Sequence, residues 1–141
     1  MLESMMVSFY AAFRMSGVVI RRFESRMGFS ALSDIASLPL LFALLAVVNV
    51  ATTPFTLAFS RHVEHEADRF GLEITQTNHS AGTAFVKLQT DALAVPRPGL
   101  VFQLWNGSHP ALGDRIDFAN AYHPWRSGDP LVYGDRFKNS R

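Results

Sequence analysis

Residues 35–73 read IASLPLLFALLAVVNVATTPFTLAFSRHVEHEADRFGLE, and this stretch decides the fold. Its first part, residues 35–60, contains no charged side chain. Because a helix of about 20 apolar residues crosses the hydrocarbon core of a bilayer, residues 35–59 predict a membrane helix. Pro39 lies near the start, where a helix tolerates proline, whereas Pro54 predicts a kink or an interruption. The alternative is a buried core helix of a soluble protein.

A second apolar stretch precedes it, at residues 5–20, and contains Arg14. We interpret residues 5–23 as a membrane helix or the end of one, in which Arg14 faces a polar cavity, pairs, or extends to the interface. The basic segment at residues 21–30 then connects the two apolar stretches. Its length is typical of a helix–helix connection.

Composition limits the classes of function. The chain has 141 residues, of which 48% are hydrophobic and 18% charged, so it is more apolar than an ordinary soluble domain. A net charge of +1 offers no basis for binding nucleic acid. There is no cysteine, so a metal bound by this chain must use His, Asp or Glu.

The polar continuation of the apolar run predicts a helix with chemistry on it. Residues 61–75 have helical periodicity, with Val63, Ala67, Phe70 and Ile74 as the expected buried stripe. Glu64 and Asp68 are one turn apart beside that stripe. One carboxylate there can ligate a metal and the other can orient a histidine ligand.

A solvated face is the alternative for the same segment. His62, Glu66 and Arg69 form one row, and Arg61 is spaced to pair with Glu64 or His65. Residues 65–69 read HEADR, which begins like H-E-x-x-H but ends in an arginine that cannot bind zinc.

A second informative run, SHPALGDRI, covers residues 108–116. His109 precedes a proline, which keeps it out of helical geometry and places it at the entrance of a predicted helix. His109 and Arg115 beside a polarised carbonyl group can stabilise or protonate a tetrahedral intermediate. A plain capping or packing role for His109 is the alternative.

Taken together, the two runs carry a resemblance to a known family. SRHVEHEADRFG, residues 60–71, resembles the S-R-x-x-E-x-x-A-D-x-F/Y segment of the integral-membrane zinc metallopeptidases typified by the type I CAAX prenyl endopeptidase. FQLWNGSHPALGDRI, residues 102–116, resembles the later S-H-P-x-L-x-x-R-I/L segment of that family. The order and spacing agree, and the ending DFANAYHPWRSGDP is similar to that of bacterial members.

The resemblance implies specific roles. Glu64 matches the glutamate that binds zinc together with two histidines of H-E-x-x-H, and Asp68 matches the aspartate that supports a ligand histidine. His109 and Arg115 match residues placed beside the bound peptide. These 141 residues contain no H-E-x-x-H, so the two further histidines are expected from an upstream segment and this chain alone is expected to be inactive. A fragment, a miscalled gene start and a degraded copy remain three explanations.

The overall expectation is an all-α protein with two membrane helices. Residues 1–141 form the C-terminal portion of a membrane metallopeptidase domain, with membrane helices at 5–23 and 35–59, a zinc-ligand helix within an active-site helical region at 60–120, and a tail at 121–141. Expected partners are a peptide or protein substrate, the lipid bilayer of a bacterial inner membrane and the N-terminal half of the same protein, but no nucleic acid. The competing hypothesis is a non-enzymatic helical membrane protein.

Overall fold

A computed structural model describes residues 2–137 of the chain, and these residues form helices and no strand. The predicted all-α class is confirmed. The elements, in chain order, are α1 (Leu2–Met27), a 3₁₀ turn (Ile35–Ser37), α2 (Leu38–Thr75), α3 (Asn78–Asp91), α4 (Leu100–Trp105), α5 (Leu112–Ala121), α6 (Pro124–Ser127) and α7 (Gly134–Phe137).

The chain divides into two compact units, residues 1–54 and residues 55–141. In the first unit α1 has a kink at Phe23, where the backbone leaves helical geometry, which is where the predicted membrane helix ends. The prediction that residues 21–30 form a connection is wrong for residues 21–27, which belong to α1 on both sides of the kink. The helix ends at Met27 because Gly28 adopts the left-handed conformation, with φ of +72°, that commonly terminates helices.

α2 contains the longest apolar run of the chain. Counted with the 3₁₀ turn before it, residues 35–75 form the one helix within residues 2–137 that is long and apolar enough to cross a membrane, with a mean hydropathy of 2.2 over its most apolar window. By the same measure α1 is not long and apolar enough to cross a membrane, so its assignment as a membrane helix stays a prediction. The predicted continuation of the apolar run into a polar helix is confirmed, because α2 extends to Thr75.

The sequence predicts a kink or an interruption at Pro54, and the structure shows no interruption, since this proline lies inside α2. A proline has no N–H, so it cannot donate the helical hydrogen bond to the carbonyl four residues before it. Two threonines beside it donate hydroxyl hydrogen bonds to carbonyls of the preceding turn, Thr52 to Val48 at 2.9 Å and Thr53 to Asn49 at 2.7 Å.

The second unit contains the polar half of α2 and everything after it. Val63, Ala67, Phe70 and Ile74, the predicted buried stripe, are exposed in the structure. The prediction was wrong because the partners of α2 in this unit pack against its polar side. We call these four residues the apolar stripe of α2.

α3 and α5 pack against each other, and α5 is joined to the polar side of α2 through Arg115 and Asp68. Asn78, buried at the start of α3, donates from its amide to the carbonyls of Ala119 at 2.6 Å and Tyr122 at 2.8 Å at the end of α5. Gly82 allows α3 and α5 to approach each other closely, since a Cβ there would lie 3.3 Å from the Asn120 amide oxygen. α5 is therefore held in a fixed position by α3.

The tail is attached to α2 by a buried carboxylate. Glu73 is only 1% exposed and accepts hydrogen bonds from the Tyr122 hydroxyl, from the Val132 N–H at 2.9 Å and from the Tyr133 N–H at 2.8 Å. Burial and the neighbouring Glu73 carboxylate raise the pKa of Tyr122 to about 12, so its hydroxyl remains a donor at neutral pH. We call these four residues the tail anchor.

Replacing the anchor carboxylate tests its contribution to stability. Glu73→Ala removes a buried acceptor of three hydrogen bonds and leaves partly buried donors without it, which we expect to lower the free energy of unfolding by about 3 kcal/mol. Urea titration followed by circular dichroism measures this. The matched control is Asp91→Ala at the exposed end of α3, for which we expect a change within about 0.5 kcal/mol. A Glu73→Ala effect as small as the control would contradict the anchor.

Candidate active site

Four residues predicted from the sequence meet at one place. Glu64 and Asp68 lie one turn apart on α2, His109 lies in the connection between α4 and α5, and Arg115 lies in the first part of α5. They are 41 to 51 positions apart across the two segments, since 109 − 68 = 41 and 115 − 64 = 51. Direct hydrogen bonds join the two segments.

The strongest link is between Arg115 and Asp68. The guanidinium donates from Nε to Asp68 Oδ2 at 2.7 Å and from Nη2 to Asp68 Oδ1 at 2.6 Å, so the pair is bidentate. The Arg115 side chain is 16% exposed and that of Asp68 10% exposed. The Phe85 ring of α3 lies below the guanidinium, 4.4 Å from Cζ, a favourable cation–π arrangement. Charge-assisted pairs of this geometry are strong and directional.

Glu64 is in contact with two cationic or potentially cationic groups. His109 Nδ1 contacts its Oε1, and Arg115 Nη1 lies 3.5 Å from its Oε2. His109 itself is 71% exposed, so its ring is open to solvent on the side away from Glu64. The predicted position at a helix entrance is found, because α5 begins three residues after His109.

The start of α5 is held by the segment before α4. The Gly113 N–H donates to the Pro96 carbonyl at 2.9 Å, and a Cβ at Gly113 would lie 3.0 Å from that oxygen. Arg97 bridges to Asp114 and Asp117 on the outer face of α5. The segment before α4 therefore fixes the helix that carries Arg115.

Glu66 and Arg69, two residues of the row interpreted as a solvated face, also contact other parts of the structure. Glu66 and Arg69 form an ion pair at 2.6 Å, as that alternative requires, but Glu66 also accepts from the Tyr133 hydroxyl at 2.7 Å. The Arg69 guanidinium lies over the rings of Phe118 and Tyr122, at 5.9 and 5.7 Å. Sequence spacing revealed the pair but not its aromatic partners, because those come from distant positions.

A cleft of about 320 Å³ opens beside Asp68, between α2 and α3. Its walls are mostly small or apolar and include Ala67, Gly71, Ala81 and Phe85. Asp68 thus borders a space that other atoms can enter.

The residues at hand do not complete a metal site. Within residues 2–137 no group of three or more His, Asp or Glu side chains is arranged to hold a metal ion. Glu64 and His109 offer one oxygen and one nitrogen donor, whereas a catalytic zinc uses three protein ligands.

Two comparisons with known proteins both match the chain to peptidases. The family model described as Peptidase family M48 matches residues 1–123. The protein described as uncharacterized metalloprotease YhfN of Bacillus subtilis (strain 168) is 32% identical over 114 residues, which cover 81% of this chain and 27% of that protein. The chain thus spans about a quarter of the length of this relative. No solved structure matches the chain.

A double-mutant cycle tests the link between α5 and α2. We expect Asp68→Asn and Arg115→Met to be coupled by about 2 kcal/mol in the free energy of unfolding, because each removes the partner of a largely buried charge. Urea unfolding of the two single variants and the double variant measures the coupling. The matched control is Arg97→Met with Asp114→Asn, whose side chains are 55% and 59% exposed and should couple by less than about 1 kcal/mol. Equal coupling in both cycles would contradict a special role for the Asp68 pair.

Proposed function

The chain belongs to peptidase family M48, and on this premise we propose that it is part of a zinc-dependent membrane endopeptidase. In this proposal the chain supplies one metal ligand, Glu64, and two groups that act on the substrate, His109 and Arg115. The observation that carries it is the convergence of these residues with Asp68 from two distant segments. A coincidental surface row has no reason to bring all four together.

The proposed ligand is a partly exposed carboxylate that two basic side chains hold in place. Both of its oxygens face basic groups of His109 and Arg115. The remaining two ligands are proposed to be the histidines of an H-E-x-x-H segment outside these 141 residues, so that the chain alone does not hydrolyse peptides. Asp68 has the proposed role of supporting one of those histidines, and the cleft beside it leaves room for another segment.

His109 and Arg115 have the proposed task of handling charge on the substrate. Hydrolysis of a peptide bond places negative charge on the carbonyl oxygen, and donors fixed in advance stabilise it most. Arg115 is fixed by Asp68 on one side and by Phe85 on the other. His109 is the more exposed group, which suits a donor that must reach a substrate or protonate the leaving amine.

The apolar stripe of α2 supports a further partner. Val63, Ala67 and Ile74 are exposed in the structure, although they form one face of a helix whose other faces are packed. Soluble proteins seldom leave such a continuous face open. We propose that the rest of the same peptidase covers it and brings the missing ligands to Glu64.

The membrane proposal rests on α2. Only 17% of its most apolar window is buried within the structure, whereas the core helix of a soluble protein is covered on most sides. Within its family we place the chain near the integral-membrane members that resemble the type I CAAX prenyl endopeptidase. The location that fits this, for a bacterial member, is the inner membrane.

Charge substitution tests the membrane proposal. Phe42→Arg with Val47→Arg places two charges on exposed positions of α2, each costing about 2.5–3.5 kcal/mol inside a bilayer. We expect the double variant to be extracted from membranes by alkaline carbonate while the wild type is retained. Val132→Arg, at an exposed position of the tail, is the control and should be retained. Extraction of the wild type would contradict a membrane span.

Metal content and peptide cleavage test the site. In the full-length natural protein we expect Glu64→Ala to lose both bound zinc and activity, because it removes a ligand. We expect His109→Ala to keep about one zinc and to lose activity by about 100-fold or more. Elemental analysis with and without a chelator, and cleavage of a fluorogenic peptide library, measure the two quantities.

Asp117→Asn, an exposed position on α5, serves as the control and should change neither. Full cleavage activity in purified Glu64→Ala would refute the ligand assignment. A full-length protein that binds no zinc and cleaves no peptide would favour a non-enzymatic membrane protein. The upstream reading frame offers a simpler check, since an in-frame H-E-x-x-H is expected there.

A further inference from the structure

Arg61 makes a contact that the spacing of charges on α2 does not predict. Instead of pairing with Glu64 or His65, its Nη1 donates to the carbonyl oxygens of Gln103 and Gly107, both at 2.7 Å. These acceptors are 42 and 46 positions away in the sequence. The guanidinium therefore ties α2 to the end of α4 and to the turn that follows it.

The two carbonyls need a donor from elsewhere. The last carbonyls of a helix lack partners within it, and the N–H groups of Asn106 and Gly107 both donate to Phe102 rather than to Gln103. A positive side chain at a helix C-terminus is the favourable partner for such carbonyls. The turn itself is tight, since a Cβ at Gly107 would lie 3.0 Å from the Gln103 backbone.

This turn leads directly to the site. His109 is two residues after Gly107, and its ring contacts Glu64, which is one helical turn after Arg61 on α2. The segment 103–109 is thus fastened to the same face of α2 at two neighbouring points. Because the His109 ring is largely exposed, little besides Glu64 and the loop backbone holds it in place.

We propose that Arg61 is a positioning residue, which fixes the 103–109 loop so that the His109 ring remains opposite Glu64. The consequence for catalysis rests on the proposed peptidase function, whereas the attachment of the loop does not. Displacement of a catalytic group by about 1 Å can cost about 100-fold in rate, so loss of the two hydrogen bonds is expected to act on turnover. Substrate binding is expected to change little.

The test uses the full-length natural protein in detergent with three variants. Arg61→Met removes the donors and keeps an unbranched apolar stem, whereas Arg61→Lys keeps three donors on one nitrogen with a side chain one bond shorter. Lys87→Met, which removes an exposed positive charge from α3, is the control. Amide hydrogen exchange of the Asn106 and Gly107 N–H groups reports the loop, and kcat and KM for peptide cleavage report the site.

We expect Arg61→Met to speed exchange at Asn106 and Gly107 by about tenfold or more, with exchange across α3 unchanged. We expect its kcat to fall by about 10- to 100-fold with KM within about threefold. Arg61→Lys should restore part of both, and Lys87→Met should resemble the wild type.

Three results overturn the inference: unchanged exchange in the loop of Arg61→Met, equal acceleration across α3, or local acceleration without loss of kcat. A wild-type protein that cleaves no peptide would instead count against the proposed function. In that case the exchange comparison alone decides on Arg61, since local acceleration upholds the attachment of the loop and its absence overturns it.

Discussion

The bidentate ion pair between Arg115 and Asp68 is the interaction on which the rest of the site depends. It joins α5 to α2 with two short charge-assisted hydrogen bonds in a largely buried setting. Breaking such a pair leaves an uncompensated charge, which costs far more than the loss of an exposed pair. Because His109 lies in the connection that enters α5, fixing α5 also limits where the His109 ring can lie. The support of α5 by α3 and by the Pro96–Arg97 segment serves the same geometry.

The polar half of α2 has three faces, and each makes different contacts. Glu64 and Asp68 lie on the face that meets α5, Glu66 and Glu73 lie on the face that holds the tail, and the apolar stripe lies on a third face. With 3.6 residues per turn, short steps in sequence separate these faces. A single helix therefore positions the proposed metal ligand, anchors the tail and exposes the side chains of Val63, Ala67 and Ile74. Disturbing α2 is expected to affect all three.

The carboxylates of α2 show how environment separates residues of the same type. Glu73 is buried and its partners are a hydroxyl and two backbone N–H groups, which is a structural arrangement. Glu64 is more accessible, and its partners are the basic side chains of His109 and Arg115. The proposed metal-ligand role belongs to the second environment, whereas the first environment is structural. Burial and partner type, rather than position on the helix, therefore distinguish the two roles.

The sequence by itself determined the all-α class, the long apolar helix and its polar continuation, because hydrophobic periodicity and the absence of charge act locally. It also indicated all four site residues, through motif order and the resemblance those motifs carry. It could not place the tail anchor or the contacts of Arg61, and it wrongly predicted that the apolar stripe is buried. Those features depend on which distant segments share a face of α2, and a Glu73 or an Arg61 has the same local spacing whatever it meets. Only the tertiary structure decides that, because burial and hydrogen-bond partners arise from contacts between residues 40 or more positions apart.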